Sequence, residues 1–477
     1  MYMRYKIEQA ELLIRQTPPD RSSFAIGAGK PSKRRPRAIL LVRLVLSNDQ
    51  GETAWGVSGD RPSFGWLDKR PDFGPDEKLE RLFNLVRGAR DIYLSKSFVS
   101  PQQHWFNCHQ EIVRLGAEQN HETLSSTFAS ALMERAMLDA FCRLQGVSMF
   151  EALKTQLLDP DFALLDPSLK GIKFRSLLPA QPRTNFFIRH TVGLSDPLLD
   201  SDISKDERIN DGEPESLEEY AQRDGLRYFK VKISGEPQRD LDRLEKIWSV
   251  LVKVNMPVVT LDGNESYTDI DAFSQFVELL EKRLLGLYQH IAFIEQPLTR
   301  QLTMDRGTAS VIRKISQDKP LVIDEADAEL DSFARAQQVG YEGVSHKNCK
   351  GFFKSLLNRV RCHVTTEGRA FQSAEDLSLM PLVPLHQDFA ALGILGISHC
   401  ERNGHHYGLG LSHLTAQEQH LALEHHQELY VRRGDQVFLN IQGGEVNCDS
   451  LQTTGFGVSF EPEWDALVPL NDYQVKW

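Results

Sequence analysis

The sequence has no long hydrophobic run, no leader-like start and no paired cysteines. None of its 477 residues falls in a window near the roughly 18 uninterrupted apolar residues that a membrane-spanning helix needs, so we expect no transmembrane segment. The first residues lack the apolar stretch and small-residue cleavage site of a signal peptide, and we expect a cytoplasmic location. The six cysteines show no CxxC pair, which favours reduced thiols.

The sequence also has fewer positively charged than negatively charged residues. The chain has 55 Lys and Arg residues against 66 Asp and Glu residues, a formal net charge of −11, which argues against nucleic acid as a partner. Its one basic run, residues 33–37, is short and typical of a solvated loop. The hydrophobic content of 41% and charged content of 25% are ordinary for a globular protein of one large barrel plus a smaller domain.

The first 150 residues pass from strands to helices. Residues 38–46 are apolar and branched and predict a strand, and residues 53–57 predict its hairpin partner. Residues 124–145 carry apolar side chains at spacings of three and four, which predicts a long amphipathic helix. We therefore predict an α+β domain over residues 1–150, in which the glycine-containing loop 24–33 is either a mobile lid or a plain flexible loop.

A strand–helix alternation begins near residue 185. Its short apolar runs and intervening amphipathic stretches predict a parallel sheet, and enough units fit between residues 185 and 440 for a closed eight-stranded (β/α) barrel. Residues 195–219 are acidic and poor in large apolar side chains, so we interpret them as a surface insertion in that barrel.

Charged side chains follow successive predicted strands at intervals of one strand-plus-helix unit. In chain order they are Lys230 and Lys232, Asp262, Glu295, Asp324, and Lys347. The two lysines alternate on one strand and therefore share a face. Because the carboxyl ends of barrel strands converge on one mouth, where active sites lie, we expect all six side chains to meet there.

Three carboxylates in one mouth repel each other unless a cation joins them. Mg²⁺ prefers oxygen ligands and keeps positions for water and substrate, so we predict that Asp262, Glu295 and Asp324 hold Mg²⁺, with Mn²⁺ as a substitute. Such a metal would stabilise the enolate that forms when a carboxylate substrate loses its α-proton.

The lysines supply the candidate proton-transfer groups. A lysine base must be neutral, and a second lysine or a dication nearby lowers its pKa. We predict Lys232 as the catalytic base, Lys230 as the neighbour that lowers its pKa, and Lys347 as the partner acid or base across the mouth.

Together these residues resemble the enolase superfamily, nearest to its muconate-lactonizing-enzyme-like branch in the mandelate racemase family. The matching segments are residues 230–232, 262–264, 295–297, 324–325 and 347, with further likeness at 38–56, 134–153, 443–446 and 454–458. The resemblance implies an α/β fold: a modified TIM barrel over residues 185–440, closed by an N-terminal capping domain of residues 1–150 with a C-terminal return at 441–477. It also implies one Mg²⁺ and proton abstraction α to a carboxylate.

Several reactions remain open within and outside that family. Two lysines on opposite faces imply a racemase, epimerase or cycloisomerase that acts on a small carboxylate. One lysine suffices for a lyase, such as a dehydratase like o-succinylbenzoate synthase or one acting on acid sugars. A non-catalytic binding protein and a Schiff-base aldolase are further alternatives. The family's habit suggests a homo-oligomer, and no membrane partner is expected.

Substrate contacts are expected next to the strand ends, where the chain departs from the family. The candidates are Asn264, Glu325, Glu375, His399 and Glu401. No Asp-x-Asp pair follows the eighth predicted strand, which disfavours a dipeptide epimerase, and the sixth-strand segment lacks paired glycines. His399, His405 and His406 would bind substrate, lie near a zinc ion or line a polar barrel end, whereas we expect surface positions for His386, His413, His420, His425 and His426.

Overall fold

The structure is a computed structural model that describes residues 3–21, 37–364 and 368–474. The hypothesised lid at residues 24–33 and most of the basic run lie outside these residues. Among the helices of the described ranges, none combines the length and the apolar character that a membrane crossing requires.

Strands and helices are numbered along the chain. The strands are β1 (Tyr5–Thr17), β2 (Arg37–Asn48), β3 (Thr53–Asp60), β4 (Asn185–Val192), β5 (Tyr228–Lys232), β6 (Val258–Asp262), β7 (Ile291–Glu295), β8 (Leu321–Ile323), β9 (Gly343–His346), β10 (Phe371–Ala374), β11 (His399–Arg402), β12 (Tyr430–Arg433), β13 (Gln436–Leu439), β14 (Glu445–Asn447) and β15 (Val468–Pro469). The helices are α1 (Phe64–Leu67), α2 (Pro75–Leu94), α3 (Pro101–Glu118), α4 (Thr123–Leu144), α5 (Met149–Lys154), α6 (Leu217–Asp224), α7 (Pro237–Leu251), α8 (Ile270–Arg283), α9 (Leu285–His290), α10 (Arg300–Thr303), α11 (Ala309–Ser316), α12 (Ser332–Val339), α13 (Phe352–Val364), α14 (Val383–Leu395), α15 (Gly404–Tyr407) and α16 (Ala416–His425).

An antiparallel sheet of order β15-β1-β2-β3 forms the N-terminal part. The predicted hairpin is present, with β2 and β3 paired from Leu40 opposite Asp60 to Ser47 opposite Thr53. Helix α4 crosses β3 so closely that a Cβ on Gly56 would lie 2.2 Å from the carbonyl oxygen of Ala136. Strand β15 comes from the C-terminal end of the chain and pairs with β1, which ties the two ends together.

Helix α4 is buried on nearly all sides rather than amphipathic. Every residue from Leu124 to Cys142 is buried, including the charged side chains of Glu134, Arg135 and Asp139. The helix lies between the antiparallel sheet and the barrel, so its polar face also meets protein. Arg135 pairs with the carboxylate of Asp60 at 2.7 Å, and this contact satisfies a charge that water would otherwise solvate.

Eight parallel strands, β4 to β11, form the second layer and close into a barrel. Each pairs with its neighbour, and β11 returns to β4 with His399 opposite Phe187 and Arg402 opposite His190. The predicted fold class, a modified TIM barrel with an N-terminal α+β domain, is confirmed. Strand β14 adds to the outside of β4 in the antiparallel direction.

The acidic insertion at residues 195–219 is held down by ion pairs. Arg21, from the N-terminal part, donates to both carboxylate oxygens of Asp211 at 2.5 and 2.6 Å. Glu213 accepts from Arg223 at 2.6 Å and from Arg433 at 2.9 Å. These acids therefore have local partners.

All six cysteines are buried free thiols, as predicted. The prediction of surface positions is wrong for His386, His413 and His426, which are all buried. His386 contacts the Tyr430 hydroxyl at 2.7 Å, and His426 contacts the hydroxyls of Ser450 and Ser459. These partners lie far along the chain, where sequence spacing does not reveal them.

Candidate active site

The six side chains predicted to meet at the barrel mouth do meet there. Lys232, Asp262 and Glu295 end three adjacent strands and lie side by side in register. Asp324 and Lys347 follow the last residues of β8 and β9 directly. Every one of these groups is buried, with Lys232 the most exposed at only 5%. Barrel closure alone brings them together, because parallel strands present their carboxyl ends to one side.

Lys230 lies at the centre of the mouth and is surrounded by carboxylates. Its Nζ is 2.6 Å from both Glu295 and Glu375, 2.8 Å from Glu401 and 3.0 Å from Asp262. Burial alone would lower the pKa of Lys230, but the four carboxylates outweigh burial and raise it well above its usual value. Lys230 is thus a fixed positive charge at the centre of the mouth.

Glu375 and Glu401, predicted to contact substrate, accept hydrogen bonds from protein groups. Glu375 accepts from Arg189 at 2.5 Å, and Glu401 accepts from Thr191 at 2.8 Å, in addition to their shared Lys230. Burial would raise the pKa of both carboxyls, but these cations outweigh it and lower both values. Sequence reasoning missed Arg189, whose signal was a lone charge inside an apolar strand.

Glu295 is the one carboxylate of the mouth without a hydrogen bond from the described residues. Neither of its oxygens accepts one in suitable geometry, although the Lys230 ammonium is close. Burial, followed by the charges of Asp262 and Glu375, raises the pKa of Glu295 well above its usual value. A fully buried carboxylate in this state is a natural ligand for a further cation.

The other two predicted metal ligands each pair with a lysine. Asp262 accepts from Lys232 at 2.5 Å, and Asp324 accepts from Lys347 at 2.7 Å and from Lys350 at 2.9 Å. Burial opposes ionisation of both carboxyls, but the lysines outweigh burial and lower both pKa values, that of Asp324 strongly. Both aspartates are therefore ionised.

The four lysines of the mouth fall into two classes by hydrogen bonding. Lys350 donates to the carbonyl and carboxylate of Asp324 and to Ser345, which uses all three of its protons. Lys230 lies within 3.0 Å of four carboxylates and donates hydrogen bonds to two of them. Lys232 and Lys347 each make a single hydrogen bond within the described ranges. Lys232 and Lys347 thus keep ammonium protons that make no hydrogen bond within the described ranges.

The pKa of Lys347 is set mainly by burial and by its carboxylate partner, Asp324. Burial acts to lower the pKa of Lys347, but the charge of Asp324 outweighs it, so the value is raised. The Lys347 amine and the Asp324 carboxylate lie 2.7 Å apart, a distance that their positions in the sequence do not reveal.

A short segment of the N-terminal part covers the mouth. The ring of Trp66 lies 4.2 Å from the Lys347 Nζ, and Lys69 donates to Glu325 at 2.9 Å and to the Asn264 carbonyl at 2.8 Å. Asn264 also donates to Glu325 at 3.1 Å. The two predicted substrate contacts, Asn264 and Glu325, are thus bonded to each other and to this cover. Sequence reasoning missed Trp66 and Lys69, which lie in and beside a four-residue helix without a pattern of its own.

His399 lies away from the carboxylates. It is the first residue of β11, so it is at the amino-terminal end of the barrel, where its ring stacks on Tyr228 at 4.9 Å. The sequence argument took this position for a strand end, whereas it is a strand start. The structure does not bring His399 into the mouth.

The comparisons with known proteins show likeness of fold only. No protein-family model matches the sequence, and no curated protein matches it. Among solved structures, 2-chloromuconate cycloisomerase from Rhodococcus opacus 1CP has a TM-score of 0.59 at 15% identity, over 96% of this chain and 97% of that one. An enolase from Bradyrhizobium, complexed with magnesium and mandelic acid, has a TM-score of 0.58 at 15% identity over 99% of both chains.

A third solved structure, an unknown member of the enolase superfamily from Enterococcus faecalis V583, has a TM-score of 0.58 at 15% identity, over 98% of this chain and 97% of that one. The resemblance first stated from the strand-end residues is confirmed at the level of the fold.

Proposed function

We propose that this chain is an enolase-superfamily enzyme that removes and returns the proton α to a carboxylate in a small substrate. The reaction is a racemisation, epimerisation or cycloisomerisation with Lys232 and Lys347 as the acid–base pair. The observation that carries the proposal is that these two lysines alone, of the four in the mouth, hold a single hydrogen bond each among the described residues. The fold shared with a cycloisomerase supports it.

The two lysines reach the mouth from different sides. Lys232 ends β5 and bonds Asp262, whereas Lys347 follows β9 and bonds Asp324, with Glu295 on a strand between them. A substrate carbon held between the two amines would lose its proton to one and receive a proton from the other. Transfer on opposite faces inverts the carbon, which is the requirement for a racemase or epimerase.

The donor set of the mouth fits Mg²⁺. Three carboxylates on consecutive strand ends supply the hard oxygen ligands that this ion prefers, and Glu295 is buried without a hydrogen bond. Asp262, Glu295 and Asp324 would hold the ion, and Mn²⁺ would be able to replace it. When bound, it would offset the negative charge that develops on the substrate carboxylate. Lys230 fixes Glu295 in place, and Trp66 shields the site from water.

Proton NMR in D₂O tests the proposal. The Mg²⁺-loaded chain is incubated with pooled α-substituted carboxylic acids, beside Lys232→Ala, Lys347→Ala and the exposed control Lys314→Ala. We expect exchange from both enantiomers of one acid with the unchanged chain and the control. Each mouth variant should lose exchange from the enantiomer whose α-proton faces the missing lysine. A new double bond in the product would identify a lyase instead. Exchange from both enantiomers that survives in either mouth variant would refute the assignment of the lysines.

A metal titration tests the carboxylate assignment independently of substrate choice. We expect Mg²⁺ to raise the melting temperature of the unchanged chain and to have no such effect on Glu295→Gln, because a ligand that binds only the folded state stabilises it. An equal shift in both proteins would place the ion elsewhere.

A further inference from the structure

Three histidines that the mouth does not use lie together on the outer face of the barrel. His190 belongs to β4, and His405 and His406 belong to α15, directly after β11. Strands β4 and β11 pair to close the barrel, which brings the two segments together. Thr191 bonds Glu401 inside the mouth, so strand alternation turns His190 to the opposite face. The cluster is therefore separated from the carboxylates by the strand itself.

The distances within the cluster suit a shared metal ion. The Nδ1 of His190 lies 3.2 Å from the Nε2 of His405, and one nitrogen from each of the three rings lies within 4.8 Å of the other two. Nitrogens around a tetrahedral Zn²⁺ at 2.0–2.1 Å are about 3.4 Å apart. One pair already meets that spacing, and the third ring needs a movement of about 1.5 Å or less, within the range of a side-chain rotation.

His406 is the third ring of the cluster, and its nitrogen lone pairs are available to a metal ion. Both ring nitrogens of His406 are buried, and neither has a hydrogen-bond partner in the described part of the chain. A buried imidazole without a hydrogen-bond partner destabilises the folded state, and a bound metal ion would supply the missing partner. Burial lowers the pKa of His190 and His406 well below the usual value and that of His405 to about 3, so all three rings are in the neutral, metal-binding form.

A cavity of about 240 Å³ adjoins the cluster. Its lining includes His190 and His406 on one side and Asp202 and Glu207 of the acidic insertion on the other. The two guanidiniums nearby are neutralised by their own partners, Arg21 by Asp211 and Arg223 by Asp224. The cluster therefore faces a polar space with room for water or a small ligand.

We propose that His190, His405 and His406 bind a Zn²⁺ ion, with its remaining position open to the cavity beneath the acidic insertion. Three imidazoles form a borderline-soft ligand set that selects Zn²⁺ over Mg²⁺, whereas the carboxylate mouth has the opposite preference. Three protein ligands with one open position are typical of zinc sites that bind a water or a small anion. This inference is independent of the proposed reaction, because it uses none of the same residues.

Zinc titration of the tag-free full-length chain tests the site. The protein is stripped with EDTA, placed in excess Mg²⁺ to occupy hard-oxygen sites, and titrated with Zn²⁺ by calorimetry. We expect one Zn²⁺ per chain and a weakening of about 100-fold or more in His406→Ala, because even changes next to a ligand cost 10–100-fold. Control variants are His420→Ala, an exposed histidine on α16, and Glu295→Gln in the mouth. Both should bind Zn²⁺ as the unchanged chain does.

Two further readouts keep the test decisive if His406→Ala does not fold. His405→Ala changes a half-buried ring and should give the same loss, and Co²⁺ bound in place of Zn²⁺ should show the visible absorption of a tetrahedral nitrogen-ligated ion. Absence of bound Zn²⁺, unchanged binding in both histidine variants, or loss of binding in Glu295→Gln would overturn the proposal. Either of the first two results would mean that His190 and His405 share a hydrogen bond and that His406 is buried beside them without a metal ion.

Discussion

Replacement of Lys230 by methionine should destabilise the fold more than any other single change in the mouth. Methionine keeps most of the volume of the side chain and removes the ammonium that lies within 3.0 Å of four carboxylates. Three of those carboxylates keep another partner: Asp262 keeps Lys232, Glu375 keeps Arg189, and Glu401 keeps Thr191. Glu295 keeps none among the described residues.

The cost of the change can be set from the loss of one cation among the buried carboxylates Asp262, Glu375 and Glu401, whose pKa values are lowered. Removal of one partner from a buried ion pair typically costs about 3–5 kcal/mol, because the remaining charge is buried without compensation. That is a large part of the roughly 5–15 kcal/mol by which proteins are stable. The matched control is Lys314→Met, whose ammonium lies 3.3 Å from Glu278 with both side chains more than half exposed. An exposed pair of this kind is worth about 1 kcal/mol at most.

Urea unfolding in metal-free buffer, followed by tryptophan fluorescence, measures both variants. We expect a loss of about 3–5 kcal/mol in the free energy of unfolding for Lys230→Met and of about 1 kcal/mol or less for Lys314→Met. If Lys230→Met unfolds within 1 kcal/mol of the unchanged chain, then Lys230 is not the charge that permits burial of the mouth carboxylates.

Three other changes test separate parts of the molecule. Burial raises the pKa of Glu134 to about 8, so the folded chain holds a proton that the unfolded chain releases, and stability should fall between about pH 5 and pH 8. Glu134→Gln should remove that fall, at most about 1.4 kcal/mol per pH unit by urea unfolding, and identical pH profiles would contradict it. Gly56→Ala should cost about 1–3 kcal/mol or more by the clash with helix α4, whereas Gly65→Ala, with open space around it, should cost nothing measurable in the same assay; equal losses would refute the close approach. Lys69→Met should speed amide hydrogen exchange in the segment over the mouth, because two hydrogen bonds and the ion pair with Glu265 are lost. Unchanged exchange would show that other contacts hold the cover.

The positions of the six mouth residues followed from the sequence because a barrel repeats one simple unit. Each strand ends where its apolar run ends, and the closed parallel sheet carries every strand end to the same side. Lys232 and Lys347, 115 positions apart in the sequence, therefore meet without any further information about tertiary structure. The same logic predicted the antiparallel hairpin of the N-terminal part, which depends only on alternation and a turn.

The charge partners of these residues could not be predicted from the sequence, because they depend on the directions of side chains across the barrel. Lys230 and Glu401 are 171 residues apart, and nothing in either segment indicates that they bond. Glu401 was consequently expected to face substrate. His399 shows a second limit. Strand β11 has only four residues, so an error of a few positions in its predicted bounds moves a residue from the mouth to the opposite end of the barrel.

Burial of helix α4 shows a third limit of sequence reasoning. Its apolar spacing predicted one buried face, but the structure buries the charged residues as well, because the helix is covered by both layers. A periodic pattern reports which side chains are apolar and does not report how many neighbours the helix has. The raised pKa of Glu134 arises in this way, from burial that the pattern could not show.

The mouth holds as many basic as acidic side chains, and this match links the proposed reaction to the proposed ion. Its carboxylates are Asp262, Glu295, Asp324, Glu375 and Glu401, and its cations within 3.0 Å of them are Lys230, Lys232, Lys347, Lys350 and Arg189. Short ion pairs lower the cost of burying the four carboxyls whose pKa values are lowered, and the raised pKa of Glu295 favours its neutral form. A lysine can act as a base only after it loses its own proton, and then its carboxylate partner loses a compensating charge. A dication bound to the carboxylates would supply the missing positive charge. A neutral Lys232 beside Asp262 would therefore cost less free energy when the mouth also holds Mg²⁺.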